Sequence, residues 1–408
     1  MICRYCGNQL RYKFVDLVNA PPSNAFLTKE QLNEPEIFYP LTLFICEKCF
    51  LVQIDEYKKS GDIFGPNYAY YSSYSTSWLD HAERYVDMIA NRFGYDSNSH
   101  VIEIASNDGY LLQYFQTKKI PVLGIEPACN VAQTAKAKGI ETIVDFFGIN
   151  LANHLAAHNR KADLIIGNNV FAHVPDIGDF VSGMKKVLKK DGVITLEFPH
   201  LMQLINQNQF DTIYHEHYSY FSFYTAGLIF DRYGLDIFDV EQLPTHGGSL
   251  RIYGKHKEDT SKEISDNVTT LSDKEKSNGM LELSYYEDFN EKVNTVKYNF
   301  IEFLLEQKRQ GKKVAAYGAA AKGNTLINYC GIKGDLINFV VDASRHKQGK
   351  FLPGSHIPIV EEDRIRDTCP DFVLILPWNI QDEIVKQLDY IRKWGGKFVA
   401  AIPEMRIF

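Results

Sequence analysis

The 408-residue sequence predicts an α/β protein of three units: an N-terminal cysteine module, a central doubly wound α/β domain and a smaller, Rossmann-like α/β domain. Three observations support this prediction. Two Cys-x-x-Cys pairs occur near the N terminus, short apolar runs alternate with amphipathic stretches from about residue 78 to 256, and a second alternating series begins near residue 290. Alternating strands and helices are typical of a largely parallel sheet with helices on both faces, and the central series ends in a hairpin-like pair of strands at 235–240 and 249–253. In the second series, one helix is predicted from Gln381 to Trp394.

Changes in composition mark the boundaries between these units. The segment 61–66 contains two glycines and a proline, which interrupt regular structure, and residues 255–290 are polar and charged with few apolar side chains. A chain of this length also exceeds one ordinary domain. We therefore predict units at residues 1–66, 67–256 and 257–408.

Composition and charge argue against two classes of partner. The 44 Lys and Arg residues are outnumbered by 51 Asp and Glu residues, so the net charge of -7 offers no general attraction for nucleic acid. No apolar run approaches the ~20 residues of a membrane span, and the sequence begins without a basic and apolar leader. We therefore expect a cytoplasmic protein that binds neither nucleic acid nor membranes.

Four of the seven cysteines form two Cys-x-x-Cys pairs, Cys3 with Cys6 and Cys46 with Cys49. Each pair can form a tight turn that directs two sulfurs at one ion, at a Zn–S distance of ~2.3 Å. An odd number of cysteines in this arrangement argues against a disulfide framework. We predict a structural zinc site with these four ligands, and the alternatives are a redox dithiol or two unrelated reduced pairs.

A cofactor site is predicted where the first strand of the central domain ends. The strand from Val101 to Ala105 runs into a loop that closes at Gly109, and the next strand ends at Glu126. A carboxylate in that position accepts hydrogen bonds from both ribose hydroxyls. Because the loop lacks the three glycines that a pyrophosphate needs, it indicates S-adenosylmethionine (SAM) more strongly than a dinucleotide. The alternative is an ordinary strand, turn and helix.

Histidines cluster at the predicted carboxyl edge of the central sheet. The segment Asn168–Asp176 follows one strand, and His200, His215 and His217 follow the next strand within eighteen residues of one another. Imidazole exchanges protons near neutral pH, which suits general acid–base catalysis. A His-x-His metal site and a loop of polar packing residues are the alternatives.

The conformation of the run from Tyr214 to His217 decides which of its side chains share a face. Successive side chains of an extended segment point to opposite sides, so Tyr214 and Glu216 would share one face and His215 and His217 the other. One histidine would then be active and the other structural.

The C-terminal domain contains a possible anion site at residues 314–325, where a strand, a glycine turn and a helix are predicted. The Gly-x4-Gly spacing matches a phosphate loop, but Asn324 stands where ATPases carry Lys, and Lys322 precedes the glycine. Free N–H groups at the helix start together with Lys322 would hold a pyrophosphate. Arg345, beyond the next strand, could add charge; the alternative is a tight structural turn with a solvated lysine.

Several motifs together resemble the SAM-dependent nucleotide-sugar C-methyltransferases, zinc-containing enzymes that make branched deoxysugars. Besides the cysteine pairs, these motifs are Glu-Ile-Ala-Ser-Asn-Asp-Gly, Gly-Ile-Glu-Pro-Ala, Asn-Val-Phe-Ala-His-Val-Pro-Asp, Tyr-His-Glu-His-Tyr-Ser-Tyr-Phe-Ser, His-Gly-Gly-Ser-Leu-Arg and Gly-Ala-Ala-Ala-Lys-Gly-Asn-Thr. They span nearly the whole chain. The resemblance implies a zinc-binding module, a central SAM-dependent methyltransferase domain and a C-terminal domain that helps to hold the nucleotide-sugar.

The resemblance also implies roles for individual residues. His217 would be the catalytic base, with Tyr214, Glu216, His173 and a tyrosine of the 68–71 stretch lining the sugar pocket. We expect Tyr68 to be that tyrosine, and the others of that stretch are the alternatives. The residues expected to bind SAM are Glu103, Ala105, Asn107, Gly109, Glu126, Pro127, Asn168 and Asn169. The residues expected to bind the substrate are His246, Lys322, Asn324 and Arg345.

The implied reaction is methylation at C3 of a nucleotide-linked 4-keto-6-deoxy sugar, or a related keto sugar. A carbon beside a ketone becomes nucleophilic when its proton is removed, and the enolate oxygen then needs hydrogen-bond donors or a positive charge. We expect a dTDP- or GDP-linked substrate and a monomeric enzyme. An NAD-dependent oxidoreductase of nucleotide-sugars and a zinc-containing protein that binds or modifies RNA are the alternatives.

Overall fold

The three predicted units are present in the computed structural model, which describes residues 1–65, 68 and 70–408. Each unit is built around its own sheet, of four, seven and six strands in chain order. The predicted fold class, a cysteine module followed by two α/β units, is therefore confirmed. The predicted boundary between residues 66 and 67 lies outside the described residues.

The N-terminal unit is a small antiparallel sheet. Its elements are β1 (Tyr12–Ala20), β2 (Tyr39–Ile45), β3 (Val52–Gln53) and the short helix α1 (Ser60–Ile63). The strands pair in the order β1-β2-β3, and β3 pairs in turn with a strand of the central unit, Ser219–Tyr220. Backbone hydrogen bonds therefore join the first two units beside the Tyr-His-Glu-His segment.

The central unit is a seven-stranded sheet covered by helices. Its strands are β4 (Val101–Ile104), β5 (Val122–Ile125), β6 (Thr142–Ile143), β7 (Ala162–Asn168), β8 (Leu188–Pro199), β10 (Leu235–Leu243) and β11 (Ser249–His256), with β9 (Ser219–Tyr220) in the N-terminal sheet. Its helices are α2 (Thr76–Phe93), α3 (Leu112–Thr117), α4 (Cys129–Ala137), α5 (Ile149–Ala157), α6 (Ile177–Val187), α7 (Leu201–Asn206) and α8 (Phe223–Arg232).

The strand order β10-β11-β8-β7-β4-β5-β6 explains why the predicted cofactor and histidine loops meet. Strands β4 to β8 are parallel neighbours, whereas β10 and β11 form the predicted antiparallel pair at one side of the sheet. The carboxyl ends of parallel strands share one edge, so the loops after β4, β5, β7 and β8 lie together.

The C-terminal unit is a smaller α/β domain with strand order β14-β13-β12-β15-β16-β17, parallel except for its last strand. Its strands are β12 (Val314–Tyr317), β13 (Val340–Val341), β14 (Ile359–Val360), β15 (Phe372–Ile375), β16 (Lys397–Ala400) and β17 (Arg406–Ile407). Its helices, with those that lead into it, are α9 (Asp266–Ser277), α10 (Ser284–Glu287), α11 (Phe289–Arg309), α12 (Ala321–Tyr329), α13 (Asp363–Thr368) and α14 (Gln381–Gln387). A single helix from Gln381 to Trp394 is wrong, because residues 389–394 form a tighter 3-10 helix.

A continuous apolar core joins the N-terminal unit to the C-terminal unit. Phe14 of β1 stacks on Phe289 of α11 with ring centroids 4.7 Å apart, and Tyr286 packs against the edge of the same ring at 6.0 Å. Residues 201–220 of the central unit contribute Phe210 and Tyr218 to this core. The segment that carries the histidines is therefore enclosed between the first and third units.

The longest helix, α11, is amphipathic. It runs for 21 residues and buries one face, which includes Val293 and Phe300, while its other residues are largely charged and exposed. Such a helix covers a core and leaves its polar face in water.

Within the part of the chain that the structure describes, no helix combines the length and apolarity needed to cross a membrane.

Candidate active site

The two cysteine pairs form matching turns. In the first, the Gly7 N–H donates to the Cys3 carbonyl at 2.9 Å, and in the second the Phe50 N–H donates to the Cys46 carbonyl at 2.9 Å. Gly7 and Phe50 each follow the second cysteine of a pair and adopt positive φ angles of 74° and 55°. This repeated backbone geometry brings four sulfurs together from two distant parts of the sequence.

The four sulfurs fit one zinc ion. They lie within 4.8 Å of one another, with Sγ–Sγ distances of 3.6 Å for Cys3 and Cys49 and 3.5 Å for Cys6 and Cys46. Four thiolates at ~2.3 Å from one Zn²⁺ would be roughly 3.8 Å apart. Among the described residues this is the only group of three or more potential metal ligands, so a metal site at the histidines gains no support.

The predicted cofactor loop follows β4 in an unusual backbone conformation. Ala105, Asn107 and Gly109 have φ angles of 58°, 49° and 76°, in the left-handed region that favours glycine. A Cβ at Gly109 would lie 2.3 Å from the Cδ1 atom of Ile140, so a larger residue would displace the neighbouring chain. The loop therefore has a fixed shape at the edge where a doubly wound sheet binds its ligand.

Asn107 attaches this loop to the segment that precedes α2. Its side-chain oxygen accepts from the Ser72 N–H at 2.8 Å, and its side-chain nitrogen donates to the Tyr70 carbonyl at 3.2 Å. The hydroxyl of Ser73 also donates to the carboxylate of Asp108. The segment 70–73 therefore covers the cofactor loop.

Glu126 lies at the end of β5, next to the loop. One carboxylate oxygen accepts from the Asn107 N–H at 3.0 Å, and the other accepts from the Ala128 N–H at 2.8 Å; Pro127 lies between them in sequence. Burial raises the pKa of Glu126 to about 7, although the two N–H groups act in the opposite direction. A carboxylate held by two backbone donors is suited to accept hydrogen bonds from ribose hydroxyls.

Several buried acceptors near this loop have no hydrogen-bond partner within the described residues. They are both carboxylate oxygens of Glu103, one of Asp108 and the side-chain oxygens of Asn168 and Asn169. Burial raises the pKa of Glu103 well above its usual value. Unpartnered buried acceptors are costly, and a ligand with an ammonium group and hydroxyls would satisfy them. SAM carries both kinds of donor, so these residues fit the predicted cofactor.

His217 has one ring nitrogen available to accept a proton. Its Nδ1 lies 3.0 Å from the Thr212 carbonyl oxygen. Because a carbonyl can only accept, Nδ1 carries the proton and Nε2 keeps its lone pair. Burial lowers the pKa of His217 well below its usual value; repulsion that would arise if His173 were also protonated, and the charge of Lys322, lower it further. His217 is therefore neutral near pH 7, as a general base must be.

Four of the five predicted pocket residues lie together around one aromatic cluster. The His217 ring packs against Tyr214 and His173 with centroids 4.1 and 4.6 Å apart. Phe64 contacts both His173, at 5.7 Å, and Tyr68, at 5.3 Å. Burial lowers the pKa of His173 to about 4, so its ring is also neutral.

The fifth pocket residue, Glu216, is held by the N-terminal unit. Its carboxylate accepts from Asn24 Nδ2 at 2.8 Å. Burial raises the pKa of Glu216 to about 7, while Asn24 and the charge of Lys58 lower it. The negative charges of Glu216 and Glu126 add to burial in raising the pKa of Tyr68 well above 10, so Tyr68 remains a hydroxyl donor.

The Tyr-His-Glu-His segment is a turn, so the extended conformation considered above is wrong. The His217 N–H donates to the Tyr214 carbonyl at 2.9 Å, which closes the turn. Tyr214 and His217 therefore lie on the same side. His215 lies on the other side, where Nε2 is 3.2 Å from the Pro40 carbonyl oxygen of the N-terminal unit.

His200 belongs to a buried structural network rather than to the pocket. Its Nε2 lies 2.6 Å from Glu275 of α9, and both side chains are 1% exposed. Glu275 also accepts from the N–H groups of Phe223 and Tyr224, at 2.6 and 2.8 Å, at the start of α8. Through these three hydrogen bonds, Glu275 of α9 joins the end of β8, which His200 follows, to the start of α8.

Lys322 lies in the first turn of α12, at the junction of the C-terminal and central units. Its Nζ donates to Asn379 Oδ1 at 2.9 Å and lies 4.7 Å from the centroid of the Trp378 ring. Burial lowers the pKa of Lys322 to about 8, although the charge of Asp211 raises it. A cation of this kind can bind an anionic ligand without competition from bulk water.

The other three predicted substrate residues, His246, Asn324 and Arg345, lie in different surroundings from Lys322. His246 Nε2 lies 3.1 Å from the Nδ2 atom of Asn169, and the charge of Lys322 adds to burial in lowering the pKa of His246 to about 4. Asn324 is buried, and its side-chain oxygen accepts from Asn328 within α12 at 3.1 Å. Arg345 is exposed in the loop after β13.

Three residues that were not predicted from the sequence, Asn24, Asp211 and Trp378, also belong to the site. Asn24 holds Glu216, and the Nε1 atom of Trp378 donates to Asp211 Oδ2 at 2.7 Å. Trp378 follows β15, so the rule that site residues follow strand ends could have indicated it. Asn24 lies in an irregular segment of the N-terminal unit, and no sequence signal marks it.

Comparison with known proteins gives matches along the whole chain. Three protein families match in succession: a zinc binding domain at residues 3–64, a methyltransferase domain at 78–240 and a C-methyltransferase C-terminal domain at 244–403. The C-methyltransferase NovU of Streptomyces niveus is 33% identical over 405 residues, which are 99% of this chain and 96% of that protein. The predicted zinc ion and SAM cofactor are therefore confirmed.

Solved structures resemble the chain more distantly. A SAM-dependent methyltransferase of Anabaena variabilis has 16% identity and a TM-score of 0.37, covering 50% of this chain and 99% of that chain. The 1,6-didemethyltoxoflavin-N1-methyltransferase of Burkholderia thailandensis has 14% identity and a TM-score of 0.36, covering 51% of this chain and 95% of that chain.

Replacing Cys46 by Ser should release the zinc ion. A structural zinc site needs all four thiolates, and the cysteine turns adjoin the sheet that pairs with β9. Metal analysis should find about one zinc per chain in the wild type and clearly less in Cys46→Ser, and the thermal melting temperature of the variant should fall. Cys369→Ser, at an exposed cysteine outside the cluster, is the control and should retain zinc. Full zinc content in Cys46→Ser would contradict the assignment.

Replacing Glu126 by Gln should weaken SAM binding by about 10- to 100-fold, which is the loss expected for a charged hydrogen-bond acceptor. Isothermal titration calorimetry with SAM measures the change. Glu141→Gln, at an exposed carboxylate of the same unit, should bind SAM like the wild type. Unchanged affinity in Glu126→Gln would show that this carboxylate does not contact the cofactor.

Proposed function

Because this chain belongs to the family of SAM-dependent C-methyltransferases, we propose that it methylates C3 of a nucleotide-linked 4-keto-6-deoxy sugar, or of a related keto sugar, in branched-sugar biosynthesis. The oxidoreductase and RNA-related alternatives do not correspond to these relatives. The substrate assignment rests on the motif resemblance together with the chemistry that the pocket residues can perform.

The observation that carries the proposal is the state of His217. Transfer of a methyl group to carbon requires removal of a proton from that carbon. His217 is neutral, its Nδ1–H is committed to the Thr212 carbonyl, and Nε2 is free to take the proton. A proton on a carbon beside a ketone is acidic enough for such a base when the resulting oxygen charge is stabilised.

Two tyrosines and a lysine can stabilise that oxygen charge. Burial raises the pKa values of Tyr68 and Tyr214 well above 10, so both hydroxyls remain protonated and can donate hydrogen bonds. The positive charge of Lys322 is close enough to lower the pKa of His217. In a site with little water, fixed donors and a cation interact strongly with developing negative charge.

The central unit supplies alignment. When bound, SAM provides the methyl group as an electrophile, and the residues that would hold it follow β4, β5 and β7. The pocket around His217 belongs to the same sheet edge. Holding both reactants on one rigid edge replaces a chance encounter by a fixed geometry, which lowers the entropic part of the barrier.

The C-terminal unit would hold the nucleotide diphosphate. Lys322 lies at the start of α12, where free N–H groups and a half-buried cation favour an anion. Arg345 is exposed after the neighbouring strand β13 and can supply further charge. His246 of the central unit contacts Asn169 and is close enough to Lys322 for the lysine charge to lower its pKa, so the substrate would lie between the second and third units.

Replacing His217 by Asn should abolish exchange of the C3 hydrogen with solvent deuterium while leaving SAM binding intact, because Asn cannot accept the proton. NMR of dTDP- and GDP-linked 4-keto-6-deoxyhexoses incubated with each enzyme in D₂O measures the exchange. His154→Asn, at an exposed histidine of the central unit, is the control. Full exchange in His217→Asn would refute its role as the base.

Replacing Lys322 by Ala should raise KM for the nucleotide-sugar by about tenfold or more and leave the Kd for SAM unchanged, since one charge-assisted contact to the diphosphate is lost. Lys393→Ala, at an exposed lysine of the same unit, should behave like the wild type. A normal KM in Lys322→Ala would contradict this role.

The same lysine predicts a pH dependence. Because burial lowers its pKa to about 8, Lys322 is charged below that pH and loses its charge as the pH rises through it. The kcat/KM of the wild type, which reports the free enzyme, should therefore fall above about pH 8. In Lys322→Arg, which remains charged, that fall should disappear. A fall that persists unchanged would assign it to another group.

A further inference from the structure

The tautomer of His217 depends on a short turn that the C-terminal unit holds from outside. The carbonyl that accepts from His217 belongs to Thr212, the last residue of the 3-10 turn Phe210–Thr212. Asp211 precedes Thr212, and its carboxylate accepts from the indole N–H of Trp378 at 2.7 Å. A side chain of the third unit therefore contacts the residue next to the carbonyl that fixes the base.

The contact between Trp378 and Asp211 is well defined. Asp211 is completely buried, and among the described residues the indole N–H of Trp378 is the one side-chain hydrogen-bond donor to its carboxylate. Burial raises the pKa of Asp211 to about 6, while the charge of Lys322, the indole N–H and the backbone N–H groups of Asp211 and Thr212 lower it. Losing the indole donor removes a strong hydrogen bond to a buried carboxylate and leaves only the backbone donors and the charge of Lys322 to hold it.

The Trp378 ring is itself held between two units. The Nζ of Lys322 lies 4.7 Å from its centroid on one side. On another side, Gly247 of the central unit approaches so closely that a Cβ there would be 2.3 Å from the ring. The ring thus has little freedom to turn away from Asp211.

A second contact from the C-terminal unit acts on the same turn. The Thr325 hydroxyl of α12 donates to the Ile213 carbonyl at 2.9 Å. Ile213 follows Thr212 directly, so side chains of the third unit contact both neighbours of the residue that accepts from His217. The peptide that carries the Thr212 carbonyl is closed within the turn by the Ile213 N–H, which donates to the Phe210 carbonyl at 3.0 Å, and side chains of the third unit hold the residues on either side.

We propose that Trp378 is a positioning residue that acts through Asp211 and the Thr212 carbonyl to hold His217 with its proton on Nδ1 and Nε2 free. This inference rests on the proposed role of His217 as the base. It implies that proton abstraction depends on docking of the C-terminal unit, which would also hold the nucleotide-sugar. The residue that removes the proton is then correctly oriented only when the substrate-binding unit is in place.

Trp378→Phe tests this proposal because it keeps a flat apolar ring and removes only the N–H donor. Trp394→Phe is the matched control, since the Trp394 N–H donates to the Pro370 carbonyl at 3.0 Å, away from the turn. The zinc-loaded full chain is labelled with ¹⁵N-histidine, and the ¹⁵N shifts of His217, assigned by comparison with His217→Asn, report its tautomer.

We expect His217 in the wild type and in Trp394→Phe to have the proton on Nδ1 only, and in Trp378→Phe to exchange between both tautomers. The kcat of Trp378→Phe, with a nucleotide-linked 4-keto-6-deoxyhexose that the wild type methylates, should fall about tenfold, because a small misplacement of a reacting group is costly. KM and the Kd for SAM should be unchanged. A wild-type histidine spectrum in Trp378→Phe would overturn the proposal.

A double-mutant cycle with Asp211→Ala gives an independent test. If Trp378 acts through Asp211, the double variant should lose no more activity than the more affected single variant. Additive losses would contradict that route. If His217→Asn retains deuterium exchange, the proposed function itself fails; if it abolishes exchange while Trp378→Phe resembles Trp394→Phe, only the positioning role fails.

Discussion

The hydrogen bond from His217 Nδ1 to the Thr212 carbonyl decides which ring nitrogen can accept a proton, and all three units hold the segment that makes it. The N-terminal unit contributes Asn24, which binds Glu216 beside the histidine. The C-terminal unit contributes Thr325, whose hydroxyl donates to the backbone next to Thr212. The central sheet supplies the edge on which this segment and the cofactor loop meet. The geometry at the proposed catalytic base is therefore a property of the assembled chain and not of the methyltransferase domain alone.

Burial sets the charge states of the titratable groups in the pocket around His217. Desolvation lowers the pKa of His173 to about 4, raises that of Glu216 to about 7 and lowers that of Lys322 to about 8. Each shift favours the neutral form, which is the general effect of low polarity. The chain as a whole carries a net charge of -7, so attraction for the proposed nucleotide-sugar would have to be local. Lys322 at the junction of two units is suited to that role because its pKa of about 8 leaves it charged near pH 7 in partly desolvated surroundings.

The sequence was informative wherever structure depends on neighbours along the chain. The cysteine turns, the strands that end at the cofactor loop and at Glu126, and the antiparallel pair that completes the central sheet were all predicted, because each follows from short patterns of residue type. The Tyr-His-Glu-His segment was considered as extended and is a turn, since contacts with the first and third units determine its path. Asn24 and Trp378 reach the site only through tertiary packing, and for Asn24 no local pattern could have indicated this.

The central claim is that a neutral, buried histidine removes a proton from carbon so that the methyl group is transferred to that carbon. The most direct test is to incubate the enzyme with SAM that carries a CD₃ group and a panel of dTDP- and GDP-linked 4-keto-6-deoxyhexoses, and to analyse the products by mass spectrometry and NMR. The account predicts a product with the CD₃ group bonded to C3 of the sugar and with the C3 hydrogen lost. A CD₃ group on oxygen or nitrogen, or on a carbon that does not adjoin the ketone, would contradict it.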